Sequence, residues 1–337
     1  MMEHPGDDEI EVTLLGRGVG ESVVVHLPGH EWLVVDSFID YQTKLPVAQW
    51  YLESLGASND SVKTIVVTHF HADHYRGIDA LHDYYRSARL MITDALGRER
   101  FLALYGDKGG ILGGLPGTIK RAHERLIGRV TPGLRHLKTG ALVAQRQEVQ
   151  VMALSPTEAA VLQSNLELAS AMATNSRPTV QTKLRDDNRC SVVLYVRVGQ
   201  IKALLGADLI ADAPAYGWSA LLDEPLCADL DPVDLIKIPH HGGVSAHDEE
   251  MWNRLVGAGP VLKVAPYWPS AIPWDTDIDR LRARGVVWQA APSVGYETDE
   301  FGNEVSIAPQ TGIIQARRAV TEDAWRVVAI PPAFPCA

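Results

Sequence analysis

Cysteine is scarce: Cys190, Cys227 and Cys336 are the three in a chain of 337 residues. An odd, widely spaced set excludes a disulfide framework and a C-x-x-C metal knuckle. Long hydrophobic runs are missing too. No stretch of 18 or more apolar residues occurs, so no transmembrane helix and no membrane association are expected. The opening M-M-E-H-P-G-D-D-E-I-E is acidic and has neither the basic nor the apolar region of a secretory leader, so a cytoplasmic location is expected. Positive charge is in deficit, 31 Lys+Arg against 42 Asp+Glu, for a net charge of −11. That balance excludes a protein that coats nucleic acid indiscriminately. No repeat of fixed period is visible.

What charge there is falls unevenly. Between Arg98 and Arg146 ten Lys/Arg (Arg121, Arg125 and Arg129 among them) meet only Glu99, Asp107 and Glu124, giving +7 there and −18 elsewhere. A local basic patch on an acidic body fits a protein that meets an anionic substrate at one place. The span 94–140 reads as a mostly helical insert, broken by the glycine-rich G-D-K-G-G-I-L-G-G-L-P-G, which suits a flap.

Apolar, β-branched runs predict strands at 10–15, 22–27, 31–37, 64–69 and 90–93, with G-R-G-V-G-E-S read as a glycine-rich turn. Helices are predicted at 45–55 and 77–86. Strands return at 148–156, 190–198, 201–208, 234–243, 260–266, 286–292, 312–318 and 325–330, with helices at 157–175 and 278–285. Two strand-rich halves with helices between them predict one α/β domain over 1–337, a four-layer αβ/βα sandwich whose loops meet at one edge.

The run T-H-F-H-A-D-H at 68–74 ends a buried strand in three imidazoles and a carboxylate. Residues two apart in extended chain share a side, so His69 and His71 reach one ion together. Asp73 and His74 can serve a second position close by. Imidazole and carboxylate are the ligands that zinc and similar divalent ions accept at about 2.0–2.2 Å.

This stretch resembles the signature of the metallo-β-lactamase fold hydrolases, and later positions follow that family's order. Asp36, closing W-L-V-V-D-S, resembles the early aspartate that supports the ligands by hydrogen bonds. Asp208 in L-L-G-A-D resembles the carboxylate that bridges two metals. I-K-I-P-H-H-G-G, with His240 and His241, resembles the last ligand motif in the form of the hydrolase domain of ComEC, a DNA-uptake protein, here standing alone. The likeness spans roughly residues 11–318 and covers the basic insert poorly. One element departs from the pattern: where relatives place G-H-T-x-x-S, this chain reads D-D-N-R-C-S, with Asp187 and Asn188 at the place of the histidine. Asp187 as a ligand, Asn188 holding water or substrate, His123 or His136 swinging in, and Cys190 are the alternatives there.

The resemblance implies a sandwich holding two divalent ions, Zn or Mn, on His69, His71, Asp73, His74, Asp208 and one of His240 and His241. Asp36 and Asn188 would support them, and Asp73, His240 and His241 would act in catalysis. Two such ions hold a hydroxide between them and act as Lewis acids. The activity implied is a phosphodiesterase or nuclease on nucleic acid or a nucleotide, with Arg121, Arg125 and Arg129 gripping phosphates and a protein partner encoded nearby. Two alternatives stand: a hydrolase of a small ester, lactone or thioester, and a catalytically weakened metal-binding regulatory or scaffold subunit.

Overall fold

Strand β1 (Glu9–Arg17) shows how the layers arise. Its period of two sends Ile10, Val12 and Leu14 into a central apolar layer. Glu11 and Thr13 point the other way, to the helix Val47–Leu55, where the Tyr51 hydroxyl donates to Glu11 Oε1 at 2.7 Å. Strand β2 (Gly20–Leu27) repeats the division: Val23, Val25 and Leu27 pack inward, and Val24 packs against the helices. Each fully buried Val, Leu or Ile contributes roughly 1.5–3 kcal/mol, so a one-residue slip, which would turn the whole inward set outward, is strongly disfavoured.

The computed structural model describes residues 2–69, 71–96, 135–173, 186–211, 215–263, 274–290, 296–298, 304–306 and 310–336. The other strands of its first half are β3 (Glu31–Val35), β4 (Val62–Val67), β5 (Arg89–Thr93), β6 (Arg135–Leu137), β7 (Leu142–Arg146) and β8 (Val149–Ala153). The second half adds β9 (Leu194–Val198), β10 (Ile201–Leu205), β11 (Leu235–Lys237), β12 (Val261–Lys263) and β13 (Val287–Gln289). It closes with β14 (Tyr296–Thr298), β15 (Glu304–Ser306), β16 (Gly312–Ala319), β17 (Arg326–Ile330) and β18 (Phe334–Pro335). One eight-stranded sheet runs β17-β16-β1-β2-β3-β4-β5-β6, the other β18-β13-β12-β11-β10-β9-β8-β7, and β14 pairs with β15. The apolar layer lies between the large sheets. Helices Val47–Leu55 and Ile78–Tyr84 cover the outer face of the first, and Gly217–Leu222, Glu249–Leu255 and Trp274–Arg282 that of the second. The expected four-layer αβ/βα sandwich is the fold observed.

In each sheet an antiparallel part passes into a parallel one: β3 through β6 in the first, β10 through β13 in the second. Loops leaving the carboxyl ends of parallel strands collect at one rim, where open α/β sheets place their sites.

Three expectations need correction. Gly18 and Val19 alone turn the β1–β2 hairpin, with Arg17 paired to Gly20 and Gly18 at φ 61°. The broader glycine-rich turn is therefore strand, and Glu21 belongs to it. The span 190–198 is not one strand. Asp186–Cys190 is a 3₁₀ turn and β9 starts at Leu194, because the Val192 amide leaves the ladder to donate to the Thr68 carbonyl of the other sheet at 3.1 Å. Within 94–140, read as helical, Arg135–Leu137 is the edge strand β6, held by its pairing to β5. Residues 97–134 of that span, with Arg121, His123, Arg125 and Arg129, lie outside the described residues.

Candidate metal centre

β3 delivers Asp36 to the rim and β4 delivers Thr68 and His69. Asp36 has a left-handed backbone, φ 60°, which turns its carboxylate to the end of β4. There it accepts from the Thr68 amide at 2.7 Å, the Thr68 hydroxyl at 2.6 Å and His74 Nδ1 at 2.8 Å. His74 rides on the short helix Ala72–Tyr75, and its carbonyl accepts from the Ser37 amide at 2.7 Å. With its hydroxyl hydrogen given to Asp36, Thr68 presents a lone pair to His69 Nδ1, 3.0 Å away. The Ser191 hydroxyl lies 3.2 Å from the same nitrogen and accepts from the Asp208 amide at 3.2 Å. A hydrogen on Nδ1 of each ring aims Nε2 at the site: His69 Nε2 is a lone-pair donor there, and His74 Nε2 becomes one when a cation displaces its proton. Both Nε2 atoms are buried with no hydrogen-bond partner.

The second sheet supplies the facing half. Gly206 N donates to the Lys237 carbonyl at 2.9 Å, and a Cβ on Gly206 would stand 2.8 Å from Pro239 N and 3.0 Å from that carbonyl oxygen. Only glycine lets the ends of β10 and β11 approach so closely, and this approach sets Asp208 beside His241. The backbone at His240 and His241 is left-handed, φ 45° and 54°, rather than extended as expected. His241 Nε2 lies 3.5 Å from Asp208 Oδ2 and 3.6 Å from Asp73 Oδ2. His74 Nε2 lies 3.4 Å from Asp208 Oδ1 and 3.7 Å from Asp73 Oδ2.

Asp73, His74, Asp208 and His241 thus hold ligand atoms within 4.8 Å of one another. Asp36, His69 and His74 form a second such group, but the oxygens of Asp36 are already taken by three donors, which casts it as an anchor. Burial works against the charge on His74, yet Asp208, Asp73 and Asp36 outweigh it and raise its pKa well above the ordinary value. Burial also resists ionisation of Asp208 and Asp73, but the imidazoles, His74 foremost, hold both pKa values down. His69 has no such carboxylate majority, and burial keeps it neutral. The negative field that lifts His74 is one that favours a divalent cation. Orphaned Nε2 atoms, an orphaned Asp208 Oδ1 and a nitrogen–oxygen donor set fit one.

The remaining sequence candidates divide. His71 stands beside His69, ring centroids 4.7 Å apart, and is half-buried. His240 turns aside from the four-residue group: its Nε2 is 3.2 Å from Asn188 Nδ2 and its Nδ1 is 3.1 Å from the Ser245 hydroxyl. Of the adjacent pair, His241 is the one that joins Asp73 and Asp208. Asn188 is buried, with Oδ1 unpartnered, while the side chain of Asp187 lies outside the described residues. His136 sits on β6 facing Asp94 at 3.6 Å, and Cys190 packs with Ala160 and Tyr216, so neither is among the grouped ligands.

Sequence reasoning missed Thr68, Ser191 and Glu21. Glu21 is 2% exposed and forms an ion pair with Lys237, itself fully buried. A signal was present: on β2, positions 21, 23, 25 and 27 share one face, so a glutamate in phase with Val23 and Val25 must enter the inter-sheet layer.

Residues 15–128, about a third of the chain, match the family model of the metallo-beta-lactamase superfamily, and the two-sheet architecture is consistent with the sandwich fold of that superfamily. Among solved structures, the chain is similar to the metallo-beta-lactamase fold protein YhfI from Bacillus subtilis, at 14% identity over 84% of this chain and 96% of that one, TM-score 0.44. It is also similar to a metallo-beta-lactamase from Cronobacter sakazakii carrying a HARLDQ motif mutant, at 16% identity over 68% and 77%, TM-score 0.38. A third likeness is to MEM-A1, a subclass B3 metallo-beta-lactamase from a soil metagenome library, at 16% identity over 68% and 76%, TM-score 0.36. No curated protein matches the chain.

Proposed function

We propose that this protein is a metal-dependent hydrolase acting on phosphodiesters, in a nucleic acid or a nucleotide. The observation that carries the hydrolase reading is the convergence, at one rim, of His69, Asp73, His74, Asp208 and His241 from both sheets, with two imidazoles locked through Nδ1 so that Nε2 is offered. Asp73, His74, Asp208 and His241 would hold one divalent cation, and His69 and His71 with Asp208 a second. Cations there would supply an activated water and Lewis acidity toward the scissile group.

The chain's own residues do the rest. Asp36 fixes the His74 tautomer directly and that of His69 through the Thr68 hydroxyl. Asn188 Nδ2 donates one hydrogen to His240 Nε2 beside the carboxylates and has a second to offer to an oxygen of the substrate, while His240 holds that amide in place. Burial lowers the His240 pKa to about 4, so at neutral pH it is an uncharged hydrogen-bond partner. The phosphodiester preference is supported by the positive charge concentrated between Arg98 and Arg146 and by the ComEC-like form of P-H-H-G.

The test is initial rate on bis-p-nitrophenyl phosphate, nitrocefin and a thioester, each with added Zn²⁺ or Mn²⁺ and with chelator. Metal-dependent cleavage of the diester alone is expected. Turnover of the thioester or lactam instead would redirect the substrate class, and bound metal with no turnover of any would favour a regulatory role.

A further inference from the structure

Two buried atoms at the rim face each other without partners. Glu21 Oε2 and His241 Nδ1 are both sealed from solvent, neither has a hydrogen-bond partner, and they stand 3.9 Å apart. Glu21 Oε1 is paired to Lys237 Nζ. The same Nζ donates to the Ala207 carbonyl at 3.0 Å, an oxygen that also accepts from the His240 amide at 2.9 Å. Ala207 precedes Asp208 and is itself left-handed, φ 44°. One ammonium therefore touches the backbone before Asp208, and its partner carboxylate reaches the ring of His241. The pair also crosses the layers, Glu21 from β2 of the first sheet and Lys237 from β11 of the second. A charged pair this deep is weakly stabilising at best, so the fold alone gives little reason for it.

We propose that Glu21 is a positioning residue for His241. Its free oxygen accepts the Nδ1 hydrogen, closing from 3.9 Å as Nε2 takes up its ligand geometry. Lys237 holds the carboxylate in that orientation and holds Ala207, hence Asp208, at the matching distance. His241 is then fixed as His74 is by Asp36, but from the opposite sheet. The assignment rests on the metal-centre reading given above.

The experiment is Zn²⁺ affinity by chelator competition, with exchangeable N–H resonances of the Co²⁺-loaded protein as a second readout. Glu21→Gln leaves Lys237 buried without a counter-charge and is expected to lose folded protein. The decisive form is therefore the double variant Glu21→Met with Lys237→Met, which removes both charges. It is expected to melt near the wild type, to bind Zn²⁺ 10- to 100-fold more weakly, and to lose by fast exchange one hyperfine-shifted N–H that the wild type retains. Unchanged Zn²⁺ affinity and an unchanged Co²⁺ spectrum in a folded double variant would overturn the role of Glu21 while leaving the centre intact. Absence of Zn²⁺ binding by the wild type would overturn the centre itself, and this assignment with it.

Discussion

Asp36 accepts from His74 Nδ1 at 2.8 Å, both side chains are buried, and the same carboxylate takes two further hydrogens from Thr68. One anion thus sets two imidazoles, one of them through a hydroxyl. Asp36→Asn presents an N–H to one of these donors and breaks the set. Zn²⁺ affinity by chelator competition is expected to fall about 10- to 100-fold, at a stability cost of about 1–3 kcal/mol. An affinity within twofold of wild type would refute the anchor role.

Gly206 is where the second sheet brings its contribution close. Gly206→Ala places a methyl 2.8 Å from Pro239 N, against backbone that has no slack. Separation of the loops carrying Asp208 and His241 is expected, costing about 1–3 kcal/mol by urea titration and abolishing metal-dependent turnover. Wild-type turnover in this variant would show that the two loops are not held by this contact.

His26, fully buried on β2 and bonded through Nδ1 to the Glu9 carbonyl at 2.8 Å, has a pKa lowered to about 4, first by burial and then by His4 and His30. The unfolded chain takes up a proton there near pH 6.5 and the folded one does not, so stability falls as pH drops from 6.5 toward 4. The loss is on the order of 3 kcal/mol across that window. His26→Gln is expected to flatten the difference between urea midpoints at pH 7 and pH 4.5. Parallel pH profiles for the two proteins would contradict this.

Arg121, Arg125 and Arg129 are read as a phosphate grip from their sequence alone. Replacing all three with Gln is expected to raise KM for single-stranded DNA or RNA several-fold and more steeply at low salt, with KM for bis-p-nitrophenyl phosphate unchanged. Equal damage to both substrates would make the segment structural.

Legibility in the sequence followed chemistry that is local. Valine-rich runs such as Ser22–Leu27 and Thr64–Val67 announced strands because their side chains are buried on both faces. The H-x-H-x-D-H spacing marked one half of the centre for the same reason. Elements held by tertiary contact were not legible. β6, with the sequence Arg-His-Leu, exists through its pairing to β5, and β9 starts late because Val192 bonds across to Thr68. In the His240–Gly242 turn the left-handed conformation falls on the two histidines as well as on Gly242, so nothing in the sequence shows which ring turns inward. Glu21 was hidden by its glycine neighbours, which read as turn when only Gly18 and Val19 turn. The helix Glu249–Leu255 was legible and passed over: Asp248 caps it, accepting from the Met251 amide at 2.8 Å.

β1 lies between β2 and β16, with Glu9 opposite Ala319 and Gly16 opposite Gly312. During synthesis its outer edge therefore waits for Gly312–Ala319 to emerge. Until then a long apolar ribbon offers unpaired amides and carbonyls to any neighbour, which makes nascent chains prone to clumping and assembly slow.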